Sequence, residues 1–184
     1  MQSAVTAEVV EPYAEALMSL AKSQNLVDAI SQDVRSLMNL IQESAELKTF
    51  LISPLVKAED KKAVIRTVVG EQINPFLLNF LLLLVDKRRI SFIEGICGKY
   101  LEILRKLNNV VLAQVTSAVR LYEGESEKLV TKIKNLTGAA GVEIETRIDP
   151  DIIGGVIIKV GSQVYDASLK AQLRRISLNI LSGN

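Results

Sequence analysis

Apolar residues recur every three to four positions through the first hundred residues, a spacing that predicts one helix after another. A first helix is expected over about Ala7 to Ser23. A second is expected over about Leu26 to Glu43, with Leu26, Ile30, Val34, Leu37 and Ile41 in helical register. A short helical piece near Leu47 to Leu51 must stop before Ser53-Pro54, because the residue ahead of a proline is pushed out of the α region. Lys57 to Glu71 predicts a fourth helix. Asn74-Pro75 opens a fifth, with Asn as the cap and Pro at the first helical position. Ser91 to Leu107 predicts a sixth, and the short connections favour an antiparallel bundle.

Around Asn108-Asn109 the period changes. Val110 to Val119 is β-rich and predicts a strand. A polar helix follows over about Ser126 to Thr137, with Leu129, Ile133 and Leu136 inward and Gly138 as its stop. Val142 to Ile148 alternates like a half-buried strand, and Val156 to Val160 is another. Gly161-Ser162 then predicts a two-residue type II′ loop that returns the chain along Gln163 to Ala167. A last helix over about Ser168 to Leu181 carries Leu169, Leu173, Ile176 and Ile180 on one side. The expected fold class is α+β, mainly α. It comprises an N-terminal antiparallel six-helix bundle over 1–107 and a small α/β domain over 108–184 with a β-hairpin and a terminal helix.

Composition narrows the function. Of 184 residues 48% are hydrophobic but only 4% aromatic, so the core is aliphatic. Twenty-two basic residues face 21 acidic ones, which gives no electrostatic reason to expect nucleic acid. The absence of histidine removes the commonest general base and the commonest metal ligand. Cys97, the single cysteine, lies in an apolar helical pattern and reads as a small buried hydrophobe. No cofactor and no metal are expected. The most apolar stretch, Phe76 to Val85, has about half the length a bilayer demands. No basic-then-apolar leader is visible, which points to a bacterial or already mature chain.

Two features ask for a partner. The first helix carries two apolar stripes, Val10, Ala14, Leu17, Ala21 and Val9, Tyr13, Ala16, Leu20, where a surface helix needs one. The helix after Pro75 is apolar almost all round except at Asn79. Two readings stand open: both helices are central in the bundle, or both line a groove for a helix from another chain, with Ala14 and Ala16 permitting close approach; the two can hold together on different faces. The second feature is Asp149-Pro150 followed by Gly154-Gly155. Its spacing matches no phosphate-binding loop and reads as a turn with glycines for close packing at a strand start. Lys87-Arg88-Arg89 complements a helix dipole, and Lys170, Arg174 and Arg175 form a solvated face.

In order and spacing, several segments match one family. They are Pro12 to Leu17, the Ser53-Pro54 break, Asn79 to Leu84 with Arg88, and Ile144 to Gly161 continuing through Tyr165-Asp166 to Leu173. The chain resembles the delta subunit of bacterial and chloroplast F-type ATP synthases, similar to the mitochondrial oligomycin-sensitivity-conferring protein. The resemblance implies a non-catalytic stator connector of the peripheral stalk, holding the catalytic head to the b-type stalk subunits against rotational torque. It further implies a groove for the N-terminal helix of an alpha subunit, here carried by Tyr13, Ala14, Ala16, Leu17, Phe76, Asn79, Phe80 and Leu83. Asp149, Pro150, Gly154, Gly155, Gly161 and Asp166 are its structural signature in the C-terminal domain. Neither nucleic acid nor a small-molecule substrate is implied. Contact with the membrane, thylakoid or bacterial plasma membrane, would be indirect, on its stromal or cytoplasmic face. Three rival readings stand beside this one. They are a helical adaptor of another membrane machine, a nucleic-acid module built on the basic last helix with Tyr165 as its only stacking ring, and an enzyme using Asp149 or Asp151.

Overall fold

A computed structural model of the chain describes residues 2–181, with side chains placed over 8–122 and 124–178. The elements run α1 (Gln2–Ser23), α2 (Val27–Glu43), α3 (Ala45–Ile52), α4 (Ala58–Val69), α5 (Pro75–Asp86), a 3-10 turn (Ile90–Phe92) and α6 (Ile93–Leu107). Then follow β1 (Val110–Ser117), α7 (Glu123–Thr137), β2 (Gly141–Ile148), a 3-10 turn (Pro150–Ile152), β3 (Val156–Val160), β4 (Gln163–Asp166) and α8 (Leu169–Leu181). The chain is thus mainly helical with one small mixed sheet. It divides into two compact units, Met1–Leu104 and Arg105–Asn184.

Side-chain caps start two helices of the first unit, α3 and α5. Leu47 N–H donates to Ser44 Oγ at 3.2 Å and starts α3. Phe76 N–H donates to Asn74 Oδ1 at 3.0 Å, and Asn74 N–H donates to Asp33 Oδ2 at 2.7 Å, which ties the start of α5 to α2. The core is aliphatic, with Ala14, Leu17, Ile30, Val34, Leu77, Leu84 and Ile96 all essentially sealed. Tyr100 is sealed with them and spends its hydroxyl on Ser31 Oγ at 3.2 Å, so that ring burial leaves no orphaned oxygen. Burial raises the Tyr100 pKa, with the Ser31 hydrogen bond opposing it. Lys61 is also buried. Its ammonium donates to the carbonyls of Leu51 at 2.6 Å and Ser53 at 2.7 Å, closing the C-terminal end of α3.

The second unit is built around β1. Sheet order is β2-β1-β3-β4; β1 pairs parallel with β2 across the α7 crossover and antiparallel with β3. Ala113, Val115 and Ile158 of the sheet pack with Ile133 of α7. The helix α7 begins three residues before the spacing predicts, because Glu125 reaches back to accept the Tyr122 N–H at 3.1 Å. Leu136 was expected inward and instead stands 49% exposed. The chain reverses at Gly138, φ +67°, and buries Ala139 in its place.

Asp149 Oδ1 accepts the Asp151 N–H at 3.0 Å and folds the turn after β2, so this carboxylate is a turn former. Gly155 has φ +76°, and a Cβ there would lie 2.3 Å from the Ala167 carbonyl oxygen. Gly161 has φ +58° with no positive φ at Ser162, the φ pattern of the expected type II′ turn between β3 and β4.

Gly155→Ala should therefore destabilise the second unit by more than about 2 kcal/mol. Gly98→Ala, in α6 with open space around the new methyl, should stabilise by about 0.5–1 kcal/mol. Urea titration with amide hydrogen exchange on the full chain distinguishes the two, since only the first should unprotect 110–166.

Candidate functional site

Helix α1 resolves its two stripes cleanly. Val10, Ala14, Leu17 and Ala21 are buried in the core. Ala16 of the neighbouring stripe is exposed, and Val9, Tyr13 and Leu20 are half-buried. On α5, Leu77, Leu81, Leu84 and Val85 go inward, whereas Phe76, Asn79 and Leu83 remain exposed, Phe76 at 37% and Leu83 at 45%. The outer stripe of α1 touches α5 where Tyr13 meets the buried Phe80, the ring centroids 6.3 Å apart edge to face. Arg89 lies over the Tyr13 ring, its guanidinium carbon 6.0 Å from the ring centroid.

The eight residues proposed for the groove therefore divide. Tyr13, Ala16, Phe76, Asn79 and Leu83 offer surface to a partner. Ala14 at 0%, Leu17 at 1% and Phe80 at 8% exposure do not, because they face the helices behind them. What results is an apolar strip on two helices whose underside is the core itself.

A second apolar surface lies on α8. Leu169, Leu173 and Ile176, on one face, are 45%, 54% and 54% exposed; the Ile180 side chain lies outside the described residues. Lys170, Arg174 and Arg175 are exposed as well. The stripe was visible as a repeat along the last helix, but its outward direction was not. Two signature residues, Asp166 and Gly154, fix this helix. Ser168 N–H donates to Asp166 Oδ1 at 2.9 Å, while Leu169 N–H donates to the Gly154 carbonyl at 2.9 Å. A side chain at Gly154 would meet Leu169 Cδ1 at 2.8 Å. The Ser168 hydroxyl and N–H, with Arg175 further off, hold the Asp166 carboxyl below its ordinary range. Pro150 opens the 3-10 turn after Asp149.

The family model for the ATP synthase delta (OSCP) subunit matches residues 9–180. ATP synthase subunit delta of Crocosphaera subtropica is 55% identical to this chain, the match covering 97% of this chain and 96% of that protein. This chain belongs to the ATP synthase delta (OSCP) subunit family. The delta subunit of Thermosynechococcus vestitus is 52% identical over 98% of this chain and 97% of its own length. A chain of the Toxoplasma gondii mitochondrial ATP synthase hexamer shares the fold with TM-score 0.74 at 22% identity, over 93% of this chain and 96% of that one.

As a family member the chain is a stalk component of ATP synthase and not a catalytic subunit. It is a peripheral part of an energy-transducing membrane complex, and no helix among the described residues is long and apolar enough to cross a membrane. Cys97 fits that role as packing. Burial, helped by the charge of Glu94, pushes its thiol up to about 12. Iodoacetamide at pH 8 should leave Cys97 unmodified in the folded chain and alkylate it within minutes in urea, as read by intact mass. Comparable rates in both conditions would contradict the buried thiol.

Proposed function

We propose that the chain joins the catalytic head of ATP synthase to the b-type stalk subunits, with a different apolar face for each. In this reading 1–107 is an antiparallel six-helix bundle that receives the N-terminal helix of an alpha subunit along the α1–α5 strip. The 108–184 domain holds the C-terminal ends of the stalk subunits, and the exposed stripe of α8 is the surface it offers them. The membrane is a thylakoid or bacterial plasma membrane, contacted only through partners, from the stromal or cytoplasmic side.

The observation that supports the head contact is the pairing of the outer stripe of α1 with Phe76 and Leu83 of α5 through the Tyr13–Phe80 contact. An amphipathic helix laid there would place anchors at i, i+3, i+4 and i+7 against both helices. Tyr13, already fixed by Phe80 and Arg89, would lose little conformational freedom on binding.

Two contacts on one chain have a mechanical consequence. Torque from the rotating shaft pulls on the head, and a linker gripping head and stalk at separate faces makes release of either contact a local event. Rebinding is then governed by a high effective concentration, not by bulk encounter.

Calorimetric titration of the full chain with a peptide copying the N-terminal segment of its cognate alpha subunit tests this reading. Saturable 1:1 binding is expected. The double variant Phe76→Asp, Leu83→Asp, with both sites on the surface, should fold normally and bind at least 30-fold more weakly, about 2 kcal/mol from two apolar anchors. Leu17→Asp provides the contrast, since a charge at a position 1% exposed should unfold the first unit as judged by circular dichroism. Unchanged affinity in the folded double variant would remove the strip from the head contact.

A further inference from the structure

A cavity of about 480 Å³ opens beside the loop between α3 and α4 and is used by neither docking face. Its size falls within the range of small-molecule sites, about 300–1,000 Å³. The lining is of two kinds. Lys57, Lys61, Arg88 and Ser91 supply polar groups, three of them cationic, and no carboxylate lines it. Leu51, Ile52, Val85 and Ile90 supply aliphatic wall, and Leu55, 92% exposed, adds more.

Two features set these cations apart from ordinary surface charges. Lys61 is 8% exposed, and its ammonium has two carbonyl acceptors for three N–H groups. No carboxylate pairs with it among the described residues; burial alone acts on its pKa, and lowers it. Arg88 stands in the left-handed region at φ +55°. There it closes α5, with Arg89 N–H donating to the Leu84 carbonyl at 2.7 Å and Arg88 N–H to the Val85 carbonyl at 3.0 Å. Glycine or asparagine normally holds that place in a helix-ending turn. The same turn after α1 has Asn25, and the stop after α7 has Gly138. An arginine there costs backbone strain that glycine would avoid.

We propose that this cavity binds a monocarboxylate on an aliphatic stem, the carboxylate lying between Lys61 and Arg88 and the stem against Leu51, Ile52 and Val85. A carboxylate would accept the N–H that Lys61 has left and the guanidinium fork of Arg88. The aliphatic wall sets the stem, which distinguishes the site from one for inorganic phosphate. Use as the anion's second contact accounts for an arginine at this strained position.

The test titrates the full-length chain with octanoate, octanamide and inorganic phosphate, read by amide chemical shifts and calorimetry. Octanoate is expected to saturate with shifts confined to 51–61 and 85–91, and octanamide to bind at least tenfold more weakly. Arg88→Gly should raise Tm by relieving the left-handed strain and yet weaken octanoate at least tenfold, a combination that misfolding cannot imitate. Three results would each overturn the proposal. They are no saturable shift with octanoate, octanamide binding as well as octanoate, or phosphate matching octanoate with the same shifts. Undiminished octanoate binding in a stabilised Arg88→Gly variant would overturn the role of Arg88 and with it the assignment.

Discussion

The structure of the first unit depends on one constraint: α1 carries more apolar circumference than its neighbours can cover. The stripe Val10, Ala14, Leu17, Ala21 goes inward because its small members let helices approach. At Gly95 of α6 an added Cβ would already lie 3.0 Å from Val10 Cγ2. Once that stripe is committed, helical geometry fixes the outer one a fraction of a turn away, at Val9, Tyr13, Ala16 and Leu20. Phe76 and Leu83 of α5 are left out for the same reason, since Leu77, Leu81 and Leu84 have taken the core side. Phe76 and Leu83, each already more than half buried, forgo roughly 0.5–1.5 kcal/mol of further burial apiece. That forgone burial is what a partner helix could recover.

The second unit reaches a similar end by a different route. The helix α8 is positioned chiefly through the backbone. The glycine pair lets the strand pass the Ala167 carbonyl, Leu169 N–H bonds to Gly154, and Ser168 caps the first turn by accepting the Ala171 N–H at 3.1 Å. Because hydrogen bonds and close main-chain approach already fix this helix, its apolar stripe is not needed to hold it. Leu169, Leu173 and Ile176 are free to face outward. The glycine pair, whose spacing matches no phosphate-binding loop, thus serves to locate the helix on which the proposed stalk contact rests.

Hydrophobic periodicity made the elements legible in the sequence, and turn chemistry made their ends legible. The Asn74-Pro75 start, the Asp149 turn and the Gly161 hairpin were all readable as local physics. What periodicity does not contain is the identity of the neighbour. It picked out α1 and α5 as two-sided, yet could not say that Ala14, Leu17 and Phe80 are buried while Ala16, Phe76 and Leu83 are exposed. Leu136 shows the same gap at a helix end, where a reversal at Gly138 replaced it with Ala139. Lys61 was invisible for a further reason. Its acceptors lie ten and eight residues earlier, on carbonyls at the C-terminal end of α3, and no pattern of polar and apolar residues encodes how that end meets α4.

Charge and apolar surface are set to different tasks in this chain. Three ion pairs of the first unit run between helices: Lys48 with Glu94 at 2.8 Å joins α3 to α6, Lys62 with Asp86 at 2.6 Å joins α4 to α5, and Lys99 with Glu11 at 3.1 Å joins α6 to α1. Pairs this exposed contribute little stability individually, up to about 1 kcal/mol. They can still fix how one helix slides past the next, which matters to a part that transmits load. With 22 basic and 21 acidic residues, no net field is left to attract a partner from a distance. Association on the proposed faces would then depend on apolar burial, which ionic strength does not screen. Such a contact holds through changes in ion concentration beside an energised membrane, where one built on ion pairs would weaken as salt rises.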